Sequence, residues 1–281
     1  MYNTKKPGNY GKKLTGERKI MRNRVFIAIA MAILIIAVSV ASFACTKQDA
    51  KIDASGLKTI VAGVLTVGSD TTYPPMEYKE GDKIVGFDVD LTQAIAEKIG
   101  LKLDYQTAAW DGIFPALIAH KYDMVISAVT ITEDRKKEMD FSTPYYTVDQ
   151  TALVKADSGI DSIDKLNGKI AGVQIGTTGE IEAKKIAGVK VNTYDDNLLA
   201  IEDLKAGRVD AVICDSIVGD VYAKDNKDVK VGFVITTNES YGIAFAKDTP
   251  ELRDAVNAAL KSLTDDGTFA EISKKWFGER K

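Results

Sequence analysis

The sequence predicts an α/β protein of two similar lobes, each built on a mixed, mostly parallel sheet, joined by two hinge crossings. Three observations carry this expectation. From Leu57 onward, short β-rich runs alternate with amphipathic helical segments, the pattern of βα units. A pattern recurs, with LIAHKYDMVI at 117–126 and LKAGRVDAVI at 204–213 both reading Leu, one residue, Ala, two residues, an apolar residue, Asp, one residue, Val, Ile. Polar stretches at 145–150 and 237–241 lie between strand-like runs and suit linkers.

The elements follow in order. LTVGSD (65–70) reads as a strand and turn, and VDLTQAIAEKIG (89–100) as a helix capped by Gly100. LKLDYQT (101–107) is a strand, DGIFPALIAH (111–120) a helix and DMVISAV (123–129) a strand. Each copy of the repeat is a helix end, a tight turn and a buried strand, so its Leu, Val and Ile positions are core. Near the C-terminus, YGIAFAKD (241–248) reads as a strand and 249–267 as a long helix, with Thr249 as cap, Pro250 at the first position and Gly267 beyond it. The crossings divide the chain into a first lobe (57–149 and 238–281) and a second (150–237). Ligands of open α/β sheets sit beyond the carboxyl ends of strands. The first repeat strand leads into Ser127 to Thr130 and the second into Cys214 and Asp215, so the repeat places these loops across a cleft.

Charge and composition exclude several classes. The formal charge is −3, but residues 1–45 hold eight Lys or Arg and one acid, which leaves about −10 on the remainder. An acidic body without a basic stripe argues against nucleic acid as a partner. One histidine, His120, and two cysteines are too few for a zinc site, and no GxSxG elbow accompanies His120. It reads as a surface histidine at a helix end. No cofactor or metal is expected.

The front of the chain reads as an export segment. Residues 25–44 are uncharged and mostly apolar, preceded by Arg22 and Arg24, and they end in Ala-Ser-Phe-Ala-Cys at 41–45. The ending resembles a bacterial lipoprotein cleavage site, with Cys45 as the lipidated residue. Ser42 stands where such sites usually have leucine, and the run is also long enough for an uncleaved anchor. Both readings place the body outside the cell, tethered by a polar stretch at 46–56. Met21 offers an alternative start. A lipidated Cys45 leaves Cys214 without an internal disulfide partner.

Several segments, in this order and spacing, resemble the amino-acid-binding class of periplasmic solute-binding proteins, the type 2 periplasmic-binding fold. They are SDTTYPPMEY, VGFDVDL, ITEDRKKEMDFSTPYY, GVQIGTTGE, VDAVICD and the ending ISKKWFG, spanning about residues 57–278. The resemblance implies a monomeric receptor that hands a free amino acid to the permease and ATPase of an ABC importer.

The chemistry of the matching residues suits that role. A zwitterion needs a cation and donors for its carboxylate, an anion for its ammonium, and walls for its side chain. Arg135, on a short helix capped by Thr132, falls at the family's carboxylate-binding position and offers a bidentate fork that lysine lacks. Ser127, the Thr130 hydroxyl and the Ala128 backbone belong to the same loop. Thr177 or Thr178 can cap a helix whose free N–H groups face an anion. Asp215 aligns with the family's amine-binding acid, a helix cap being its plainer reading. Tyr73 and Trp110, in loop contexts, match rings that sandwich the ligand side chain. Asp70 matches the family's usual polar reader of that side chain, and Gln174, taken with Thr177, Thr178 and Asp215, looks like an arginine-type or general polar binder. Glu77 is a second polar candidate, weighed against a surface role.

Glutamine-specific relatives carry Lys at the position of Gln174 and His at that of Cys214, so the expectation favours an arginine-type, basic or polar ligand. The rival classes are a cyclohexadienyl (prephenate or arogenate) dehydratase on the same fold, a receptor sensor domain and an adhesin. The sensor reading needs an effector segment after the domain, and the sequence stops shortly after WFG.

Overall fold

A computed structural model describes Ile52 and residues 56–278. Cys45 and the rest of the expected export segment lie outside the described residues. The strands are β1 (Val64–Ser69), β2 (Thr72–Tyr73), β3 (Glu77–Glu80), β4 (Lys83–Val85), β5 (Lys102–Thr107), β6 (Met124–Val125), β7 (Asp140–Phe141), β8 (Tyr146–Lys155), β9 (Ile170–Gln174), β10 (Lys190–Tyr194), β11 (Ala211–Asp215), β12 (Val229–Tyr241) and β13 (Ala244–Phe245). The helices are α1 (Phe87–Ile99), α2 (Trp110–Ile118), α3 (Glu133–Glu138), α4 (Thr178–Lys185), α5 (Asn197–Lys205), α6 (Ser216–Asp225), α7 (Pro250–Asp266) and α8 (Thr268–Phe277).

Two five-stranded sheets have matching plans. The first runs β5-β1-β6-β13-β7 and the second β10-β9-β11-β8-β12. In each, three strands pair in parallel and the next neighbour returns antiparallel. The repeat is visible bond by bond. Asp123 accepts from the Thr66 amide at 2.7 Å and its own amide donates to Thr66 O at 2.8 Å. Asp210 does the same with Ile170, at 2.9 and 2.8 Å. Each aspartate therefore clamps the adjacent parallel strand. The helix before each turn ends on a left-handed residue, His120 (φ 56°) in one copy and Gly207 (φ 73°) in the other. Exposed His120 lies 3.2 Å from Asp248, in keeping with a helix-end surface histidine.

The chain passes from the first sheet to the second along β8 and returns along β12. The polar stretches are not irregular linkers. They are strand, pairing with each other through Val148–Glu239, Thr147–Ser240 and Tyr146–Tyr241. The register slips between Ile235 and Glu239, where Asn238 has φ 50°. The Asp149 carboxylate pins that slip by accepting from the Thr237 and Asn238 amides at 2.8 and 2.9 Å.

Other boundaries differ from the sequence expectations for local reasons. Helix α1 begins at Phe87 because its ring enters the core against Tyr145, Tyr146, Phe269 and Phe277. Thr249 stands at the N-cap of α7 but its hydroxyl donates to Ala246 O at 2.8 Å, so it does not cap the helix. Residues 241–248 hold the end of β12 and the two-residue β13 rather than one strand. The small antiparallel sheet β2-β3-β4 was not anticipated, since its strands are short and polar. The ISKKWFG ending forms the last turns of α8, where Trp276 Nε1 donates to Asp90 of α1 at 2.7 Å.

Candidate ligand-binding site

The exits of the parallel strands converge on one cavity. Asp70 follows β1, Trp110 follows β5, Ser127 to Thr130 follow β6, Gln174 ends β9 and Asp215 ends β11. All of these but Val129 line the cavity, as do Tyr73, Arg135, Thr177 and Thr178. The structure thus brings together all eleven residues singled out from the sequence for ligand contact.

Helix α3 positions the cation. The Thr132 hydroxyl accepts from the Arg135 amide at 3.1 Å, the expected cap. The Arg135 guanidinium then donates from Nη1 to Thr130 O at 2.8 Å and from Nη2 to Gly176 O at 3.1 Å. It lies 5.4 Å from the centre of the Trp110 ring and 5.1 Å from that of Phe114. Two carbonyls and two rings fix the planar fork while other N–H groups remain to bind an anion. Burial lowers its pKa to about 10, so the group is a cation at neutral pH.

Asp215 supplies the opposite charge. It occupies the N-cap position of α6 without making a cap bond, so the carboxylate is not spent on the helix. Gln150 Nε2 and the Tyr241 hydroxyl donate to its two oxygens, and Tyr73 also hydrogen-bonds it. Burial raises its pKa to about 6, which leaves it ionised at neutral pH. A fixed guanidinium and a buried carboxylate on one small cavity suit a zwitterion.

A second polar group lies around Asp70. Gln174 Nε2 donates to Asp70 Oδ2 at 2.8 Å, while Asn197 Nδ2 donates to Gln174 Oε1 at 3.0 Å. Asn197 also lines the cavity, and its buried Oδ1 has no protein partner. Burial raises the Asp70 pKa, against the hydrogen bonds from Gln174 and Thr72. Among the hydroxyls, Thr177 caps α4 by accepting from Glu180 N at 3.3 Å. Thr178 Oγ accepts from Gln150 Nε2 at 3.2 Å.

The structure revises three sequence-based expectations. Glu77 is fully buried and lines the cavity, which rules out a surface role. Tyr73 belongs to β2 and Trp110 opens α2, so neither is a loop residue. The Ala128 amide donates to Asp88 at 2.9 Å, which leaves the carbonyl as the backbone group for a ligand. Sequence reasoning also missed Gln150, Gly179 and Asn197. Gln150 sat in a stretch read as a linker. Gly179 lets α4 approach β11, since a Cβ there would fall 2.8 Å from Ile213 O. Asn197 follows the exit of β10, and the strand-exit rule could have found it.

A family model described as bacterial extracellular solute-binding proteins, family 3, matches residues 65–279. The arginine-binding extracellular protein ArtP of Bacillus subtilis (strain 168) is 41% identical over 226 residues, covering 77% of this chain and 87% of ArtP. The L-cystine-binding protein TcyJ of Escherichia coli (strain K12) is 38% identical over 221 residues, covering 77% of this chain and 83% of TcyJ. The solved structure of an ancestral arginine-binding protein bound to arginine superposes with a TM-score of 0.74 at 45% identity, covering 77% of this chain and 99% of that one.

Proposed function

The chain belongs to the bacterial extracellular solute-binding proteins, family 3, and from that premise we propose that it is the substrate-binding component of an ABC amino-acid importer. It captures a free polar or basic L-amino acid, with an arginine-type ligand favoured, and delivers it to the membrane permease and its ATPase. The observation that carries this reading is Arg135 and Asp215 lining one cavity with the Asp70–Gln174–Asn197 group. Arg135 binds the α-carboxylate and Asp215 the α-ammonium. Asp70 and the open Asn197 oxygen accept from a cationic or N–H-rich side chain, with Tyr73 and Trp110 as its walls. The names of ArtP and the ancestral arginine-binding protein support the arginine-type ligand.

Residues 57–149 with 238–281 and residues 150–237 act as two lobes that close on the ligand across β8 and β12. The protein works as a monomer, held at the outer face of the membrane through its N-terminal segment, with lipidation at Cys45. It is a binder rather than an enzyme. The dehydratase reading would draw on the cavity acids Glu77 and Asp70, whereas Asp215 with the Tyr73 and Trp110 rings on the same cavity suits binding better.

A thermal-shift screen over free L-amino acids tests the proposal. A ligand that binds only the folded protein raises Tm by mass action. Arginine is expected to give the largest rise; no rise with any amino acid refutes the reading. Turnover of prephenate refutes the exclusion of catalysis.

A further inference from the structure

Two acids at the cavity, Glu77 in its lining and Asp88 outside it, have no part in ligand binding as read above. Glu77 of β3 and Asp88 of α1 are both fully buried. Each has one oxygen in protein hydrogen bonds and one without a protein donor. Glu77 Oε1 accepts from Ser127 Oγ at 2.8 Å, while Oε2 has no donor. Asp88 Oδ2 accepts from the Ala128 amide and the Tyr145 hydroxyl, each at 2.9 Å, while Oδ1 has no donor. The two acids are near enough for the charge of Asp88 to raise the Glu77 pKa. A hydrogen bond between their two donorless oxygens needs one of them to carry a proton.

We propose that Glu77 and Asp88 share one proton, and that this proton holds the Ser127–Ala128 turn in its ligand-receiving geometry. Both acids grip that turn. Ser127 Oγ, bonded to Glu77, also accepts from the Asp70 amide at 2.9 Å, which ties the exit of β6 to that of β1. Ala128, held by Asp88, sits at φ 46°, a strained conformation for a residue with a side chain, which its surroundings must enforce. The titratable groups facing the pair are Asp70 from the β1 exit, Tyr73 from β2, Tyr105 from β5 and Tyr145 before β8. None of these is a cation at neutral pH, so a second negative charge would go uncompensated by them. Burial and the neighbouring Asp88 push the Glu77 carboxyl well above the usual range, which makes Glu77 the proton's holder. Ser127 Oγ, Oε2–H of Glu77 and the Asp88 oxygens then form one satisfied chain. The positioning half of this inference rests on the proposed amino-acid site; the shared proton does not.

Infrared difference spectroscopy on the full chain at neutral pH tests the proton. The wild type is expected to show the stretch of a protonated carboxyl that Glu77→Gln lacks, and identical spectra overturn the proposal. Calorimetric titration with L-arginine tests the positioning. Glu77→Gln keeps a donor toward Asp88 and is expected to bind within about threefold of wild type, whereas Glu77→Met strands the Ser127 hydroxyl donor and the Asp88 acceptor and loses roughly tenfold or more. Equal losses in both variants overturn the positioning role. As pH rises, the wild type should lose affinity relative to Glu77→Gln, because the ligand's own amine titrates alike in both; a constant ratio contradicts a proton held by Glu77. If no amino acid binds the wild type, the functional reading falls, and the infrared difference still decides the shared proton.

Discussion

Replacing Arg135 with alanine removes the proposed carboxylate clamp. In the structure the guanidinium spends one N–H on Thr130 O and one on Gly176 O and lies against Trp110 and Phe114. The remaining fork can give a carboxylate two charge-assisted bonds. At about 1.5–3 kcal/mol each, their loss totals about 3–6 kcal/mol, a drop in affinity of roughly a hundredfold to ten-thousandfold. Because every α-amino acid offers the same carboxylate, the loss should be similar for all ligands. Isothermal titration calorimetry against arginine and a neutral amino acid measures it. Alanine also leaves Thr130 O and Gly176 O without their side-chain donor, so ligand-free Tm should be recorded to separate folding from binding. A folded Arg135→Ala protein that binds within about tenfold of wild type refutes the clamp.

Asp70→Asn should weaken cationic ligands by about tenfold or more while leaving neutral ones little changed, since only the former lose an ion pair; equal losses in calorimetry contradict the assignment. Asp215 has its folded pKa raised to about 6, so burying its charge costs stability that returns as pH falls below 6, and ligand-free stability should rise between pH 7 and pH 5 from this group. Ammonium binding needs the ionised form, so affinity at pH 5 should be about tenfold weaker than at pH 7, and a flat profile denies Asp215 that role. Gly179→Ala places a Cβ 2.8 Å from Ile213 O and 3.2 Å from Gln150 Oε1. It should cost about 1–3 kcal/mol, read as a lower Tm, and an unchanged Tm rejects the tight approach.

Much of the architecture was legible because it is written in periodicity. The repeat at 117–126 and 204–213 marked two βα units, and the structure gives both the same aspartate clamp, Asp123 and Asp210. Short polar elements were not legible. Strands β2 to β4 and the pairing of β8 with β12 depend on partners distant in sequence, which local pattern does not encode. The same limit explains the site. Residues at strand exits, such as Asp70 and Asp215, were reachable from topology and from the family resemblance. Gln150 was not, because it reaches Asp215 only through the antiparallel register of β8 against β11. Glu77 could not be placed, since nothing in its neighbourhood of sequence announces a buried acid.

The paired strands that carry the chain between the sheets have a mechanical consequence. Two independent tethers would let one body swivel freely about the other. Here the crossings are hydrogen-bonded side by side, so bending one bends its neighbour. Such a ribbon joins the two sheets as one paired unit. Its weak point is the slipped register near Asn238, which Asp149 clips from the opposite strand. The lobe closure proposed above would therefore bend both crossings together, with Asp149 clipping the slip from the β8 side.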